Sequence, residues 1–582
     1  MKNPFRIKSL KFNDGTNFEL GNVTVLVGPN NSGKSRALKD TVALSTDKKT
    51  SGVVVSQTAL DGPSNLEELV EHIPSLDLHN RGYILPTLSH QLNGIAAGKD
   101  WRGIIKDIPK HIEKTLSGKD RTAGLRPFMT AVVAHLPTDT RLTILGDTRS
   151  PENANEPKNL VQYFYRCGTE TERVVSNIVN KFFKKHIRLD FTDIRHLRMR
   201  YGSDFDDVPP DPRDALVPMQ RRALLSDQGD GVRSFTGLLA AIYALDRPIN
   251  VIDEPEAFLH PPQAFHIGRL IGQSASTTKQ FVLATHSSDI LRGLLSASQD
   301  VAVVRINRTG DTNSFRKIET ATLQSIVSDP LLSSSRVLEG LFYSSAVVVE
   351  SDSDARFFSA SFAQVNNELD AHFVAADNKQ TVAKVLKLYS KMGVQHLGIV
   401  DFDMLRVGAE FEDAMKTLSL DQEKIDSMVS SRKTIAEEAD KVSSGQRIEQ
   451  FREVLKRIET ELNSYDGDAK PNADKVLRSL QKRANECANV TKPWKELKEK
   501  GREGLSEDSQ EEFDAVYDCL LNHGLCIYPL GELEASLVEF GLKYTTNKKE
   551  WIVAALTMIT SLTVDDKKRF WKVMKQLTSK LA

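Results

Sequence analysis

The sequence Gly28-Pro29-Asn30-Asn31-Ser32-Gly33-Lys34-Ser35 directly follows the apolar run Val23–Val27. It fits the pattern G-x-x-x-x-G-K-[ST] in the required context, with a strand before it and a helix after it. The glycines let backbone N–H groups face phosphate oxygens, and the helix N-terminus adds a favourable dipole. Lys34 would reach the β- and γ-phosphates, and Ser35 could ligate Mg²⁺. The stretch predicts an ATP site whose contacts are Gly28, Asn30, Asn31, Ser32, Gly33, Lys34 and Ser35.

The composition is that of an ordinary globular protein, with 77 basic and 78 acidic residues in a chain of 582. This length predicts roughly two to four domains, and the charge balance argues against a protein that is basic throughout. No apolar run is long enough to span a bilayer, and the N-terminus lacks the apolar core of a signal peptide. The four cysteines lack metal spacing and are expected to be reduced thiols. The expected location is the cytoplasm.

A Ser/Gly-rich turn within Leu224–Ser234 precedes the apolar run Leu238–Leu245. This order places a hydroxyl and free backbone N–H groups at a helix N-terminus, where an anion can bind. An ordinary N-capped helix has the same pattern, and only the position between two other nucleotide motifs favours an anion site. The candidate contacts are Ser226, Gly229 and Gly231.

The apolar strand Ile249–Ile252 ends in Asp253 and Glu254. Two adjacent carboxylates at a buried strand end require a cation nearby, so Asp253 is expected to hold Mg²⁺ and Glu254 to polarise the attacking water. A further apolar strand, Phe281–Thr285, ends in His286. A lone histidine is usually structural, but in this position a γ-phosphate sensor is the better interpretation.

These four motifs, in this order, resemble an ATP-binding-cassette (ABC) ATPase of the recombination and repair type. The stretches Glu254-Pro255-Glu256 and Leu259-His260-Pro261 are similar to those of soluble, DNA-associated members. The resemblance implies that two ATPase heads sandwich ATP, so that the turn Ser226–Gly231 serves the nucleotide of the other subunit. The glutamine loop of such ATPases has no clear counterpart here.

A second α/β pattern begins with the apolar runs Ala346–Val349, His372–Ala376 and His396–Val400, read as parallel strands. Acidic residues follow the first and third of these strands, and the carboxyl ends of parallel strands meet at one edge of a sheet. Two like charges about 4 Å apart cost about 4 kcal/mol at a surface-like dielectric, a penalty that a divalent cation removes. Oxygen-only ligation favours Mg²⁺ or Mn²⁺ over zinc. The predicted ligands are Glu350, Asp354, Asp401 and Asp403.

This second half resembles a Toprim domain, the metal-dependent phosphoryl-transfer fold of topoisomerases, primases and some nucleases. Glu350 matches the first-strand glutamate and Asp354 the acid one helical turn later, while Asp401 and Asp403 match the D-x-D pair. The two aspartates are expected to lie on one strand and to face the same side of it. Ser351 departs from the pattern, because many members have glycine there.

The strand Leu525–Leu530 leads to two further glutamates, of which Glu534 is favoured over Glu532 as a ligand for a second metal ion. The lysines beyond it include candidates for stabilising a pentacovalent phosphate, and the sequence does not choose among them. These candidates are Lys543, Lys548, Lys549, Lys567 and Lys568.

The expected fold class is α/β, with an ABC-type ATPase domain over 1–335 and a Toprim domain over 340–582. An inserted region is expected at about 60–190 of the first domain, with a strand at Leu142–Leu145. The second domain is expected to carry a charged helical insertion at about 404–523, which covers the sheet or meets a partner. Direct DNA contact by its lysines and arginines is the alternative.

An ATPase head joined directly to a Toprim domain resembles the OLD (overcoming lysogenization defect) family of endonucleases. Within that family, antiphage effectors such as Gabija nucleases and retron-associated OLD proteins are the nearest comparison. The resemblance implies an ATP-regulated, Mg²⁺- or Mn²⁺-dependent DNA endonuclease that forms a homodimer or higher homo-oligomer through its heads. A defence-system protein or nucleic acid is a further candidate partner, and no membrane partner is expected.

Two alternatives stay open. The first is a recombination or repair ATPase that clamps DNA without cutting it, and the intact acid set counts against this class. The second is a nucleotide sensor that controls a partner effector through the helical region. A primase or topoisomerase is disfavoured, because the chain shows neither a clear context for a tyrosine nucleophile nor a zinc site.

Overall fold

The computed structural model describes residues 4–47, 51–72, 113–114, 116–118, 120–152, 157–245, 247–329, 335–440, 444–463, 476–483, 494–545 and 547–581. The predicted inserted region and helical insertion are therefore described only in part, because 73–112, 441–443, 464–475 and 484–493 lie outside these ranges. The chain divides into two compact units, Met1–Ser344 and Ser345–Ala582. In the described part of the chain no helix is both long and apolar enough to cross a membrane.

The first unit is built from strands and helices that alternate for most of its length. Its strands are β1 Arg6–Phe12, β2 Asn17–Glu19, β3 Val23–Val27, β4 Val55–Asp61, β5 Val133–Leu136, β6 Thr148–Arg149, β7 His186–Asp190, β8 His196–Gly202, β9 Ala223–Leu224, β10 Ile249–Asp253, β11 Gln280–Ala284, β12 Val301–Thr309 and β13 Thr312–Ile318. Its helices are α1 Lys34–Thr46, α2 Leu66–His72, α3 Arg121–Leu125, α4 Met129–Val132, α5 Leu160–Phe183, α6 Pro212–Gln220, α7 Asp230–Ala244, α8 Pro261–Ser274, α9 Ser288–Ala297, α10 Thr320–Ser328 and α11 Ser335–Glu339.

The central sheet of this unit has the strand order β13-β12-β3-β11-β10-β5 and is parallel except for the β12–β13 pair. Strands β3, β10 and β11 are buried along their whole length, as expected for Val-, Ile- and Leu-rich strands of a sheet covered on both faces. Because these strands are parallel, the phosphate loop, Asp253 and His286 follow them at one edge of the sheet. Two smaller sheets, β2-β1-β4 and β6-β8-β7 with β9 added to β8, complete the unit.

The second unit contains a parallel sheet with the order β15-β14-β16-β17. Its strands are β14 Ser345–Val349, β15 Ala371–Ala375, β16 Gln395–Val400 and β17 Leu525–Ile527. Its helices are α12 Asp352–Val365, α13 Lys379–Met392, α14 Gly408–Thr417, α15 Gln422–Asp440, α16 Ser444–Asn463, α17 Lys495–Lys500, α18 Glu507–Asn522, α19 Lys548–Ser561 and α20 Arg569–Ser579.

Helices connect the strands of this second sheet, and the described residues between β16 and β17 are largely helical. An aromatic cluster joins α12 to the two C-terminal helices, since the Phe357 ring lies 5.3 Å from that of Trp551 and 5.8 Å from that of Phe570. These three side chains are buried. The C-terminal helices are thereby fixed to the part of the sheet where Glu350 and Asp354 follow β14.

Candidate functional site

The phosphate loop has the backbone conformation that its glycines allow. Gly28 has φ +142° and Gly33 has φ +96°, while Asn31 adopts the left-handed conformation with φ +59°. A Cβ atom on Gly28 would lie 2.1 Å from the carbonyl oxygen of Ile306 on the neighbouring strand β12. A side chain at position 28 is therefore excluded by both conformation and space.

Lys34, the first residue of α1, is folded back onto the loop that precedes it. Its side chain is almost fully buried, and its Nζ donates to the carbonyl oxygens of Gly28 at 2.8 Å and Pro29 at 2.7 Å. Burial lowers the pKa of Lys34 to about 8, although Glu254 and other nearby acids oppose the shift. A bound anion in the loop would favour the charged form of this lysine.

Ser35 and Asp253 come from separate motifs and meet at the sheet edge. The Ser35 hydroxyl donates to Oδ1 of Asp253 at 3.0 Å. Burial raises the pKa of Asp253, and this hydrogen bond acts in the opposite direction. A hydroxyl beside a carboxylate is the oxygen pair that Mg²⁺ needs in a phosphate-loop site.

Glu254 and His286 also lie together, as expected from their positions after neighbouring strands. The His286 Nε2 is 3.8 Å from Oε1 of Glu254, and Thr138 Oγ1 donates to the other carboxylate oxygen at 3.4 Å. Burial and the nearby Lys34 lower the pKa of His286, against the influence of Glu254. The neutral imidazole is thus favoured.

Glu256 has a structural role that the sequence motifs did not predict. One of its carboxylate oxygens accepts from the Thr285 hydroxyl at 2.8 Å, and the other accepts from the backbone N–H of His286 at 2.6 Å. Burial raises its pKa. The second glutamate of Glu254-Pro255-Glu256 therefore holds the backbone of the predicted γ-phosphate sensor.

The loop after β5 corrects one prediction and adds two residues to the site. The strand expected at Leu142–Leu145 is absent from this described segment, where Thr140–Leu142 forms a 3₁₀ turn. Upstream of the turn, the Thr138 hydroxyl donates to the carbonyl oxygen of Asp253 at 3.3 Å. Arg141 Nη2 donates to the carbonyl oxygen of Glu254 at 2.7 Å. No glutamine occurs in this loop to mark its role.

The Ser/Gly turn lies at the start of α7, as its sequence predicts. Ser226 is in the short 3₁₀ helix Leu225–Asp227, and Gly229 is the residue that precedes the first turn of α7. A Cβ on Gly231 would lie 2.7 Å from the carbonyl oxygen of Phe258. The start of α7 therefore packs closely against the segment that follows Asp253 and Glu254.

In the second unit, the acids that follow β14 and β16 meet because these strands are neighbours. The backbone N–H of Asp401 donates to Oε1 of Glu350 at 3.2 Å. Burial raises the pKa of Glu350, and that of Asp401 lies well above its usual value because of burial and then repulsion by Glu350 and Asp354. Burial likewise raises the pKa of Asp354. Burial and mutual repulsion disfavour the ionised forms of these three carboxylates, and a bound cation would favour them.

Ser351 replaces a glycine of the Toprim pattern and caps α12. Its Oγ accepts from the backbone N–H of Asp354 at 3.4 Å, and Oδ2 of Asp354 accepts from the backbone N–H of Ser351 at 2.9 Å. This reciprocal capping box orients Asp354 at the start of the helix. The other carboxylate oxygen of Asp354 has no hydrogen-bond partner in the described protein.

We expect Ser351→Ala to destabilise the second unit by about 1 kcal/mol, because it removes a side-chain cap. Ser351→Gly is the matched control and should cost only a few tenths of a kcal/mol, about what glycine costs at such positions. Urea unfolding of the full chain, followed by tryptophan fluorescence, measures the difference. Equal effects of the two substitutions would contradict this role of the serine side chain.

The prediction that Asp401 and Asp403 lie on one strand and face the same side of it is wrong. Strand β16 ends at Val400, and Asp403 lies in a 3₁₀ helix that spans Phe402–Leu405. The two carboxylates of the D-x-D pair therefore do not share one face of a strand.

Two lysines pair with Asp403. Lys379 Nζ donates to Oδ1 and Lys498 Nζ to Oδ2, both at 3.3 Å. Burial alone would raise the pKa of Asp403, but Lys379 and Lys498 outweigh it and lower that pKa. Asp403 is thus the member of the predicted acid set whose pKa is lowered overall, whereas the pKa values of Glu350, Asp354, Asp401 and Glu534 are raised.

Glu534 and Glu532 have different surroundings. Glu534 is 2% exposed, and neither of its carboxylate oxygens has a hydrogen-bond partner in the described protein. Glu532 instead pairs with Lys498 and accepts from the Tyr544 hydroxyl at 2.8 Å. Burial raises the pKa of Glu534. Of the two glutamates, Glu534 has the oxygens available for a ligand.

Lys548 is the lysine of the predicted group that faces these acids. Its Nζ lies 3.9 Å from Oε1 of Glu534. Burial alone would lower the pKa of Lys548, but Glu534, Asp401 and Asp354 outweigh it and raise that pKa. Its ammonium group is therefore held in the charged form beside the acid set.

The donor set fits a hard divalent cation chemically. All candidate ligands are carboxylates, and Asp354 Oδ1 with both Glu534 oxygens are buried without a hydrogen-bond partner in the described protein. Oxygen ligands of this kind suit Mg²⁺ or Mn²⁺. Across the ranges that the structure describes, however, no group of three or more His, Cys, Asp or Glu side chains already has the arrangement of a metal site.

Two family models match the chain, one in each unit. Residues 171–292 match "AAA domain, putative AbiEii toxin, Type IV TA system", and residues 341–403 match "Overcoming lysogenization defect protein-like, TOPRIM domain". The first match contains the turn Ser226–Gly231 and the acidic pair, and the second contains the D-x-D pair. The predicted combination is confirmed: an ATPase domain is followed by an OLD-like Toprim domain, the pair of domains found in an ATP-binding, metal-dependent nuclease of OLD type.

Several solved structures are similar to part of the chain. They include an SMC head bound to the C-winged helix domain of ScpA, with 13% identity over 55% of this chain and 99% of that chain and a TM-score of 0.34. The SMC head domain from Thermotoga maritima has 14% identity over 54% and 99%, with a TM-score of 0.28. The ADP conformation of an ATP-binding cassette of an ABC transporter has 13% identity over 58% and 99%, with a TM-score of 0.24. No curated protein matches the chain in sequence.

Proposed function

We propose that this chain is an ATP-regulated DNA endonuclease, with an ABC-type ATPase domain over 1–335 that controls a Mg²⁺- or Mn²⁺-dependent Toprim site within 340–582. The observation that carries the proposal is the set of buried carboxylates after β14 and β16, with Lys548 beside them. Such a set is costly unless a cation binds it. Phosphodiester hydrolysis is the chemistry that a Toprim site of this kind supports.

Within this proposal, the Toprim acids hold one or two divalent cations. The ligands are Glu350, Asp354, Asp401, Asp403 and Glu534. When bound, the cations supply water activation and charge stabilisation at the scissile phosphate. Lys548 donates to the phosphate oxygens, and Asp403 must exchange its lysine partners for a cation. Contacts to DNA are made mainly to the sugar–phosphate backbone.

The ATPase residues take the roles that their motifs predict. Lys34 neutralises the phosphates, Ser35 and Asp253 hold Mg²⁺, Glu254 polarises the attacking water and His286 contacts the γ-phosphate. The backbone and side chains of Gly28, Asn30, Asn31, Ser32 and Gly33 cradle the phosphates, while Ser226, Gly229 and Gly231 contact the nucleotide of a second copy. A homodimer or higher homo-oligomer of heads follows from this arrangement.

The cellular role has only the OLD-like match as support. We propose antiviral defence in the cytoplasm, with a defence-system protein or nucleic acid as a further partner. The DNA-clamping ATPase is the second candidate, which the test below distinguishes from the nuclease. The two candidates differ in whether phosphodiester bonds are cut.

The test is cleavage of supercoiled plasmid by the purified full chain with Mg²⁺ or Mn²⁺, in the presence and absence of ATP. Cleavage that requires the divalent ion and responds to ATP is the expected result. DNA binding and ATP hydrolysis without any cleavage would contradict the endonuclease and support the DNA-clamping ATPase. Loss of all three activities would contradict both candidates.

We expect the metal-free protein to lose stability as the pH rises. Burial raises the folded-state pKa values of Glu350, Asp354 and Asp401 above the value of about 4 typical of an unfolded chain. Such a group contributes stability that is complete below its unfolded pKa and is lost as the pH rises through its folded pKa. Mg²⁺ should restore the loss increasingly at higher pH, because cations bind ionised carboxylates.

Thermal unfolding over a pH series, with chelator or with excess Mg²⁺, measures this effect. The contribution of Asp403 to stability changes with pH in the opposite direction. Its pKa is lowered in the folded protein, so this contribution is present above the unfolded pKa and is lost as the pH falls through the folded pKa. Its contribution therefore changes only at more acidic pH. Stabilisation by Mg²⁺ that does not grow with pH would contradict the assignment of the buried acids as ligands.

A further inference from the structure

Arg141 lies in the 3₁₀ turn Thr140–Leu142 and is 1% exposed, which is unusual for a guanidinium group. Its Nη2 donates to the carbonyl oxygen of Glu254 at 2.7 Å, while Nε and Nη1 have no hydrogen-bond partner in the described protein. Asp253, Glu254 and Glu256 act on it electrostatically and offset part of the cost of burying its charge. A buried, partly unsatisfied arginine at this place requires an explanation.

Arg141 contacts the backbone of Glu254, which has an unusual conformation. Glu254 has φ +46°, a left-handed conformation that few residues with side chains adopt. Its N–H donates to the carbonyl oxygen of Ala284 at 2.8 Å, and its carbonyl accepts from Arg141. These two hydrogen bonds fix both ends of the residue in a conformation that it would otherwise leave. The direction of the Glu254 carboxylate depends on that conformation.

The turn that carries Arg141 is itself held by helix α7. Arg233 donates twice to the carbonyl oxygen of Leu142, from Nε at 3.0 Å and from Nη2 at 2.6 Å. A Cβ on Gly237 would lie only 2.8 Å from the carbonyl oxygen of Arg141, so the helix packs directly against the turn. Helix α7 begins at Asp230, directly after Gly229, so that its first residues belong to the segment Ser226–Gly231.

We propose that Arg141 is a positioning residue for Glu254 and that Arg233 holds it in place from α7. The inference rests on the proposed function, in which Glu254 polarises the water that attacks ATP. Hydrogen bonds then connect the helix that begins at the Ser/Gly turn to the backbone of the catalytic carboxylate. Arg141 contacts Glu254 through its main chain and has no assigned contact with ATP.

The first experiment measures steady-state ATP hydrolysis by the full chain with Arg141→Lys and Arg233→Ala. Misplacement of a catalytic group by about 1 Å can cost about 100-fold in rate. We expect Arg141→Lys to lower kcat by about 10- to 100-fold and Arg233→Ala by a smaller factor, with the Kd for ATP little changed. Arg200→Lys is the matched control, because Arg200 is also buried but pairs with Asp190 at 2.8 Å. Its kcat should equal that of the wild type.

The second experiment is a double-mutant cycle with Glu254→Gln. If Arg141 acts through Glu254, adding Arg141→Lys to Glu254→Gln should lower kcat by less than about twofold. A multiplicative loss would give Arg141 an independent role and overturn the inference. Arg233→Ala keeps the test available if Arg141→Lys fails to fold, because the Arg233 side chain is partly exposed.

The outcomes separate this inference from the proposed function. A wild-type chain that binds ATP but does not hydrolyse it would refute the role of Glu254 and with it the proposed ATPase. A wild-type chain that hydrolyses ATP, with unchanged kcat in both Arg141→Lys and Arg233→Ala, would refute the positioning role alone.

Discussion

Asp401→Ala is expected to abolish metal-dependent DNA cleavage, with a loss of at least about 100-fold, since even the loss of a residue that only supports a ligand costs 10- to 100-fold. Asp401 lies between Glu350, which accepts from its N–H at 3.2 Å, and the negative charge of Asp354. Burial and these neighbours hold its pKa well above the usual value, and a bound cation would favour its ionised form. Its removal would take away one of the proposed metal ligands.

The measurement is initial-rate plasmid cleavage over a Mg²⁺ and Mn²⁺ titration, with Asp413→Ala as the matched control. Asp413 is an exposed aspartate on α14 of the same unit and lies outside the acid set. Its substitution should leave the rate unchanged. Asp401→Asn separates charge from shape, and we expect it to fail like the alanine variant. Cleavage by Asp401→Ala at the wild-type rate would remove the proposed active site.

The edge where these acids meet could be predicted because it follows from strand order along the chain. Parallel strands bring their carboxyl ends together, so Glu350 and Asp401 were predicted as neighbours from two apolar runs alone. The relation between Asp401 and Asp403 could not be predicted in the same way. The strand ends at Val400, and a 3₁₀ turn follows in which Asp403 pairs with lysines 24 and 95 residues away along the chain. No local pattern contains partners at such distances.

The nucleotide motifs show the same contrast. The phosphate loop, Asp253-Glu254 and His286 are contiguous segments whose side chains carry their chemistry, and each is recognisable in the sequence. Arg141 contacts a backbone carbonyl group, which any residue sequence can offer, and Thr138 contacts a backbone carbonyl group and the Glu254 carboxylate, so no local motif marks either residue. The predicted strand at Leu142–Leu145 was wrong for a packing reason. Ile144 and Leu145 are buried in a turn rather than in a sheet, and Ile144 lies against Gly237 of α7.

Lys34→Ala is expected to remove ATP hydrolysis, by at least about 100-fold, and to make cleavage rates with and without ATP equal. In the proposed ATP site the ammonium group is the charge that would face the phosphates, and its contacts to the Gly28 and Pro29 carbonyls direct it along the loop. Lys39→Ala is the matched control, because Lys39 is exposed on the same helix. Its variant should keep the ATP response.

Glu254→Gln distinguishes ATP binding from ATP hydrolysis as the event that regulates cleavage. It keeps Lys34 and the phosphate loop but loses the carboxylate that lies 3.8 Å from His286. If bound ATP sets the arrangement of the heads, this variant responds to ATP without turning it over, whereas Lys34→Ala does not respond. If hydrolysis is required, both variants lose the response. A Lys34→Ala variant that still responds to ATP, with its fold verified by thermal unfolding, would contradict regulation through this nucleotide site.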